Sequence, residues 1–148
     1  MGSYMRALGD AVVGRYGGQL LINIPKPVVE YLKLRPTTLN IISRGDDYVV
    51  LTIGSGPIRV IDVGGRLRIY APRESLPFRE GDRVLVSVRG RDIVIQRIDY
   101  YVVKPTVKEG NYFRVNIPWE LATKLRLHKH DLFKVYEREG KVIIEPLE

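Results

Sequence analysis

Arginine is concentrated in the middle of the chain. The segment Arg59–Arg97 contains nine arginines, no lysine and five acidic residues, which gives it a net charge of +4. Within it, Arg66 and Arg68 alternate with Leu67 and Ile69, so a β-strand places both arginines on the face opposite the apolar side chains. A guanidinium binds phosphate or guanine through two parallel hydrogen bonds, which an ammonium does not do. The pattern favours a surface that binds a polyanion.

The other candidate contacts are basic or amide side chains on the equivalent strands or on the short helices that follow them. The full set of predicted DNA-contacting residues is Arg66, Arg68, Arg73, Arg114, Asn116, Lys124, Arg126 and Lys26. Two alternatives stand beside this interpretation. Arg114 is equally compatible with ordinary cross-strand packing, and the central arginines with ion pairs on the surface of a thermostable protein. Glu74, Glu80, Asp82 and Asp92 are the acids that this alternative places near them.

Catalytic and metal-binding patterns are missing from the sequence. The chain has no cysteine, and it contains neither a G-x-S-x-G motif nor a phosphate-binding P-loop. His128 and His130 flank Lys129 without an evident third ligand, so a solvated loop is the preferred interpretation over a metal site. We therefore predict a protein that is not an enzyme and that uses no cofactor and no metal.

The charge and hydropathy of the whole chain restrict the class of partner. The 148 residues carry a net charge of +7 and the sequence pI is about 9.7, which favours a nucleic acid, although such a charge is also ordinary for a small domain. No run of about 18 apolar residues is present, so no membrane is predicted as a partner. Many charged residues and few glutamines are typical of a protein from a heat-loving organism. We expect a cytoplasmic, nucleoid-associated protein.

The candidate DNA-contacting residues belong to a sequence repeat. Pro25, Pro72 and Pro118 follow one another at intervals of 47 and 46 residues. Before each proline, apolar residues occur one, three and five positions upstream, which predicts a half-buried strand that the proline ends. After each proline, apolar residues recur at spacings of three and four. Two β-rich runs around a glycine-containing turn then follow. Each copy is predicted to be a strand, a short helix and a hairpin.

The repeat divides the chain into four parts. We predict a tag or N-terminal arm at residues 1–14, repeat 1 at 15–58, repeat 2 with a shortened helix at 59–99, and repeat 3 at 100–148. A unit of about 35 residues buries too little surface to fold alone, so the units are expected to pair into small closed barrels. Because three is odd, one pair within the chain leaves a third unit for another molecule, which predicts a homodimer. The predicted fold class is mostly β with short helices.

The repeats resemble the AbrB/SpoVT swapped-hairpin family. The residues that carry the resemblance are Asn23-Ile24-Pro25-Lys26 with 39–53, Ala71-Pro72-Arg73-Glu74 with Glu80-Gly81-Asp82-Arg83-Val84, and Asn116-Ile117-Pro118 with His130-Asp131 and 132–144. The family's basic position four residues before the proline is Arg68 and Arg114 in copies two and three, but Leu21 in copy one. The resemblance implies β-α-β-β units that interleave as dimers and bind double-stranded DNA through an arginine-bearing face.

Two functions follow as expectations. The first is a DNA-binding transcriptional regulator or chromatin-associated protein that contacts the duplex through arginine-rich faces. The second is a non-enzymatic adaptor, either antitoxin-like or a scaffold barrel, that binds a protein partner without reading DNA. In that case the shortened helix of copy two is the expected docking notch.

Overall fold

A computed structural model describes residues 7–103, 117–128 and 131–147 of the chain. It divides the protein into two compact units, Met1–Asp99 and Tyr100–Glu148. Most of the described residues lie in strands and the helices are few and short, so the predicted mostly-β class is confirmed.

Unit one is built on a single antiparallel sheet of nine strands. In chain order the strands are β1 (Leu8–Val12), β2 (Gly14–Tyr16), β3 (Gln19–Asn23), β4 (Thr37–Arg44), β5 (Tyr48–Ile53), β6 (Ile58–Val63), β7 (Arg66–Pro72), β8 (Arg83–Arg89) and β9 (Asp92–Arg97). Their order in the sheet is β1-β8-β9-β5-β4-β6-β7-β3-β2. The two end strands are separated only by Val13, so the sheet curls into a nearly closed barrel.

The joint between the end strands is held by backbone hydrogen bonds. Val13 N donates to Asp82 O at 2.8 Å, and Gly81 N donates to Val13 O at the same distance. The Val13 side chain is 1% exposed and belongs to the core. Strand edges that would otherwise be open to another chain are thereby brought together.

The short helices begin where prolines end the strands. Helix α1 (Lys26–Leu32) follows Pro25, buries Val28 and Leu32, and ends at Lys33 in the left-handed conformation. The segment after Pro72, which the sequence predicts to be reduced to one turn, forms a 3-10 helix at Arg73–Ser75. Proline suits these helix starts because the first helical N–H groups have no partner within the helix.

Strands β3 and β7 pair at positions that are one sequence period apart. Ile22 stands opposite Ile69, and both side chains are fully buried. The hairpins of the two copies also pair, through β5 and β9, where Val50 stands opposite Val94. The apolar positions of these strands fill one contiguous core, which also includes Leu39. The alternation read from the sequence therefore defines the inner face of the barrel.

Three strands of unit one, β1, β2 and β6, were not predicted from the sequence. Residues 1–14 were predicted to be a tag or arm, but Leu8–Val12 forms β1, which pairs with β8 over five residues. Ile58–Val63 forms β6, which crosses the predicted boundary between repeats at 58/59 and joins β4 to β7. All three segments are short and carry polar or glycine residues, so neighbouring strands, and not a strong local pattern, hold them in place.

Unit two contains a smaller sheet. Strands β10 (Tyr101–Val103), β11 (Phe133–Arg138) and β12 (Lys141–Pro146) are antiparallel and lie in that order. Helix α2 (Trp119–Lys124) begins after Pro118. Among the residues of this unit that the structure describes, Phe133 is the one buried hydrophobic side chain.

Candidate nucleic-acid interface

Strand β7 presents its predicted basic residues on the outer surface of the barrel. It alternates Arg66, Arg68 and Tyr70 with residues that face the core, of which Ile69 and Ala71 are fully buried. The strand lies between β6 and β3, so its outward side chains have neighbours on both sides. The hairpin turn from β6 to β7 is Gly64-Gly65, both at positive φ, and Asp62 Oδ1 accepts a hydrogen bond from Gly65 N at 2.8 Å.

Arg68 is oriented by the neighbouring strand. Its Nε donates a hydrogen bond to Asn23 Oδ1 at 2.9 Å, and the two residues are direct cross-strand partners. One edge of the guanidinium is thereby held, and its Nη groups have no hydrogen-bond partner among the described residues, which leaves them as donors for an anion. The contact between Asn23 and Arg68 links two segments 45 residues apart in the chain.

A third arginine joins this surface from β6. Arg59 stands opposite Tyr70, and its Cζ lies 5.9 Å from the centre of that ring, within the range of a cation–π contact. Arg59 was not among the predicted contact residues, because the segment containing it was not recognised as a strand. The available signal was the alternation of Ile58 and Val60 around it.

We call these outward side chains the β6–β7–β3 face: Arg59, Arg66, Arg68, Tyr70 and Asn23. Within the described parts of the chain, no carboxylate lies within 4.0 Å of its three guanidinium groups. Ion pairing occurs elsewhere: Arg83 Nη1 lies 2.9 Å from Asp10 Oδ2, and Arg97 Nε lies 3.2 Å from Asp82 Oδ2. The ion-pair interpretation thus applies to two arginines of the basic segment and not to those on this face.

Arg73 lies on a different surface from Arg66 and Arg68. It follows the far end of β7, seven residues from Arg66, a separation of about 23 Å along an extended strand. There it lines a cleft of about 650 Å³ at the end of the barrel, together with Arg15, Leu20, Glu74, Phe78, Arg79 and Glu80. The structure does not bring it to the β6–β7–β3 face.

Lys26 lies near the opposite end of β7 from Arg73. It opens helix α1 three residues after Asn23, and the ladder between the strands continues there, with Ile24 N donating to Leu67 O at 3.0 Å. Its Nζ is 3.9 Å from Glu30 Oε2 in an exposed contact between successive helical turns. Such a contact is weak and leaves the ammonium able to approach an anion.

The remaining predicted residues belong to unit two. Lys124 closes α2 and is exposed, as is Arg126, which has a positive φ of 56°. Arg114 and Asn116 lie outside the described residues. His128 N donates to Asp131 Oδ2 at 2.8 Å, while His130 is also outside them. No group of three potential metal ligands occurs in the part of the chain that the structure describes.

Comparisons with protein-family models, with curated proteins and with solved structures find no match to this chain. Neither α1 nor α2 has the length and apolar character that a bilayer-spanning helix needs, and no longer helix occurs in residues 7–103, 117–128 and 131–147.

Proposed function

We propose that this protein binds double-stranded DNA through the β6–β7–β3 face, as a transcriptional regulator or chromatin-associated protein. One observation carries the proposal: Arg59, Arg66 and Arg68 share one outward face and, among the described residues, have no carboxylate partner. An arginine that is already ion-paired must lose that partner before it binds phosphate. These three do not carry that cost.

The surrounding side chains suit backbone recognition. Asn23 and Tyr70 supply an amide and a hydroxyl beside the guanidinium groups, and such groups commonly fix the register of a protein on the duplex. The hydrogen bond from Arg68 to Asn23 and the stacking of Arg59 on Tyr70 restrict both arginines before DNA arrives. Less side-chain entropy is then lost on binding.

We also propose that the chain consists of three AbrB-like repeats, two of them in unit one and the third in unit two. The register of unit one supports this, since Ile22 and Ile69 are opposite each other and 47 residues apart, the same interval that separates Pro25 from Pro72. An arrangement of two equal segments about a twofold axis produces this kind of pairing.

The test measures the binding of the full chain to a labelled random duplex by fluorescence anisotropy, at about 50 mM and at about 200 mM salt. We expect the affinity to fall steeply with salt, and the double variant Arg66→Gln/Arg68→Gln to lower the slope of log K against log salt by about 2. The matched control is Arg89→Gln/Arg91→Gln. It removes the same charge from exposed positions at the end of β8 and in the β8–β9 turn, and neither of these strands pairs with a strand of the face.

Equal losses for the two double variants would show that only net charge matters and would contradict the proposed face. Full affinity in the Arg66→Gln/Arg68→Gln variant would exclude it outright. Absence of binding to any duplex at low salt would remove the DNA proposal altogether.

The cleft at the end of the barrel favours a second candidate, an adaptor that binds a protein segment. Its lining combines arginine and glutamate with Leu20 and Phe78, beside the short 3-10 helix at Arg73–Ser75. A mixed lining of this kind suits a peptide that carries both charges and an apolar side chain. Three results together would support the adaptor. The wild-type protein recovers a stoichiometric protein partner, the Phe78→Ala variant does not recover it, and no DNA binding is observed.

A further inference from the structure

The cleft at the end of the barrel lies beside the 3-10 helix at Arg73–Ser75. The helix that follows the other strand, α1, packs Val28 and Leu32 into the core, whereas this single turn buries no side chain. The cleft next to the turn has a volume of about 650 Å³. Pockets that hold small organic molecules and cofactors measure about 300–1,000 Å³. The cleft is therefore large enough for one such molecule.

Charged side chains of both signs line the cleft without pairing with one another. Arg15, Arg73 and Arg79 supply guanidinium groups, and Glu74 and Glu80 supply carboxylates. Among the described residues, none of these groups lies within 4.0 Å of a group of opposite charge. All of these residues are exposed. Both kinds of charge are thus available to a ligand that carries matching groups.

The backbone that bears these side chains is held by two other arginines. Arg44, from β4, donates a hydrogen bond from Nη1 to Glu74 O at 3.1 Å. Arg97, from β9, donates from Nη2 to Pro77 O, and its Cζ lies 5.8 Å from the centre of the Phe78 ring. Both segments that border the cleft are therefore fixed at their main chain, while their charged side chains point away from the core. Such a site needs less ordering when a ligand binds, which favours affinity.

We propose that the cleft binds a nucleoside phosphate, and that a nucleoside diphosphate fits it best. A guanidinium group binds phosphate oxygens through paired, charge-assisted hydrogen bonds, and three such groups can surround two linked phosphates. The site belongs to unit one, at the other end of β7 from Arg66. It is separate from the β6–β7–β3 face, so the inference is independent of DNA binding.

The other lining residues favour a nucleoside phosphate over an inorganic anion. Glu74 and Glu80 would repel a bare phosphate or pyrophosphate, but the hydroxyl groups of a ribose can donate hydrogen bonds to a carboxylate. Leu20 and Phe78 contribute apolar surface to the same cleft, as is usual in pockets that hold the organic part of a ligand. Phosphates, sugar and base thus each have a chemically matched part of the lining.

The first test is calorimetric titration of the full chain with ADP, adenosine and pyrophosphate, in low salt and without divalent cations. We expect ADP to bind. Adenosine lacks the groups that the arginines hold, and pyrophosphate lacks the sugar and the base. Each should therefore bind more weakly than ADP by roughly tenfold or more.

Charge-neutral variants locate the site. Arg73→Gln/Arg79→Gln should raise the Kd for ADP by roughly tenfold or more, since it removes two phosphate-binding groups. Arg89→Gln/Arg91→Gln is the matched control: it removes the same charge from exposed positions outside the cleft and should leave the Kd nearly unchanged. Arg66→Gln/Arg68→Gln should also leave it nearly unchanged, which separates the cleft from the DNA-binding face. Circular dichroism of each variant checks that it is folded.

The carboxylates provide a test of the sugar contact. Glu74→Gln/Glu80→Gln removes their repulsion of both ADP and pyrophosphate, but the charge-assisted hydrogen bonds to the ribose are lost for ADP alone. This variant should therefore bind pyrophosphate more tightly, and its preference for ADP over pyrophosphate should decrease. An unchanged preference would contradict a contact between these carboxylates and the ribose.

Four further results would overturn the proposal. The first is no heat of binding with ADP at concentrations up to about 1 mM. The second is an equal loss of ADP affinity in the cleft variant and in the Arg89→Gln/Arg91→Gln control. The third is pyrophosphate that binds as tightly as ADP, which would leave a site for anions only. The last is a protein segment that occupies the cleft of a chain that binds no ADP. Failure of the DNA experiment would change none of these expectations.

Discussion

Ile22 and Ile69 stand directly opposite each other in the antiparallel pair of β3 and β7, and both are fully buried. The flanking positions are not alike in their side chains. Asn23 stands opposite Arg68, whereas Leu21 stands opposite Tyr70, and Leu21 is separated from Arg68 by the same 47 residues. A nearly symmetric backbone therefore carries an asymmetric outer surface, with its cations on the side of β6 and β7.

The central isoleucine pair predicts a measurable coupling. Ile22→Ala and Ile69→Ala each remove buried methyl groups and should each lower the free energy of unfolding by about 2–5 kcal/mol. Because the two residues are direct cross-strand partners, the double variant should lose less than the sum, by at least about 0.5 kcal/mol. Urea unfolding of the four proteins measures this. Strict additivity would contradict the proximity of the two side chains.

Asn23 is predicted to control the availability of Arg68 for DNA. Asn23→Asp replaces the amide oxygen that accepts the 2.9 Å hydrogen bond by a carboxylate, which pairs with the guanidinium and repels phosphate. We expect a loss of DNA affinity of roughly tenfold or more, greater than the loss for Asn23→Ala, which removes only the orienting contact. Anisotropy titrations at one salt concentration compare the two variants. A larger loss for alanine would show that orientation matters more than charge.

Gly56 is predicted to be intolerant of any side chain. A β-carbon at this position would collide with Leu39 O, which belongs to the backbone of a central strand. Gly56→Ala should therefore lower the free energy of unfolding by about 1–3 kcal/mol or more. Gly18→Ala is the control, since a β-carbon there meets nothing within 4 Å and the φ angle is not left-handed. Equal stabilities of the two variants in denaturant unfolding would be incompatible with the close approach.

The ion pair between Asp10 and Arg83 is predicted to hold β1 in the sheet. Both side chains are about a quarter exposed, so loss of the carboxylate leaves a partly buried guanidinium with a weaker partner. Asp10→Asn should lower the free energy of unfolding by about 1 kcal/mol and increase amide exchange in Leu8–Val12. Glu30→Gln, which removes the exposed contact with Lys26, should cost only a few tenths of a kcal/mol. A larger effect for Glu30→Gln would contradict this ranking.

Much of the local structure could be predicted from the sequence because it depends on neighbours along the chain. The alternation before Pro25 and Pro72 predicts β3 and β7, and the glycine-containing turns predict the hairpins β4–β5, β8–β9 and β11–β12. The shortened helix predicted after Pro72 corresponds to the single 3-10 turn at Arg73–Ser75. Strands β1, β2, β6 and β10 were missed, since they are short or weakly patterned and are stabilised by the strands that they pair with.

The predicted site differs from the observed one for the same reason: local patterns can be read from the sequence, whereas long-range strand pairing cannot. By itself, the sequence determined that Arg66 and Arg68 share one face of a strand, because side chains alternate along any extended chain. Only the tertiary structure decided that Arg59 joins them, that Arg73 is at the other end of β7, and that Asp10 pairs with Arg83 across 73 positions. These relationships depend on which strands become neighbours, and that is determined by burial of a shared core and not by the local order of residues.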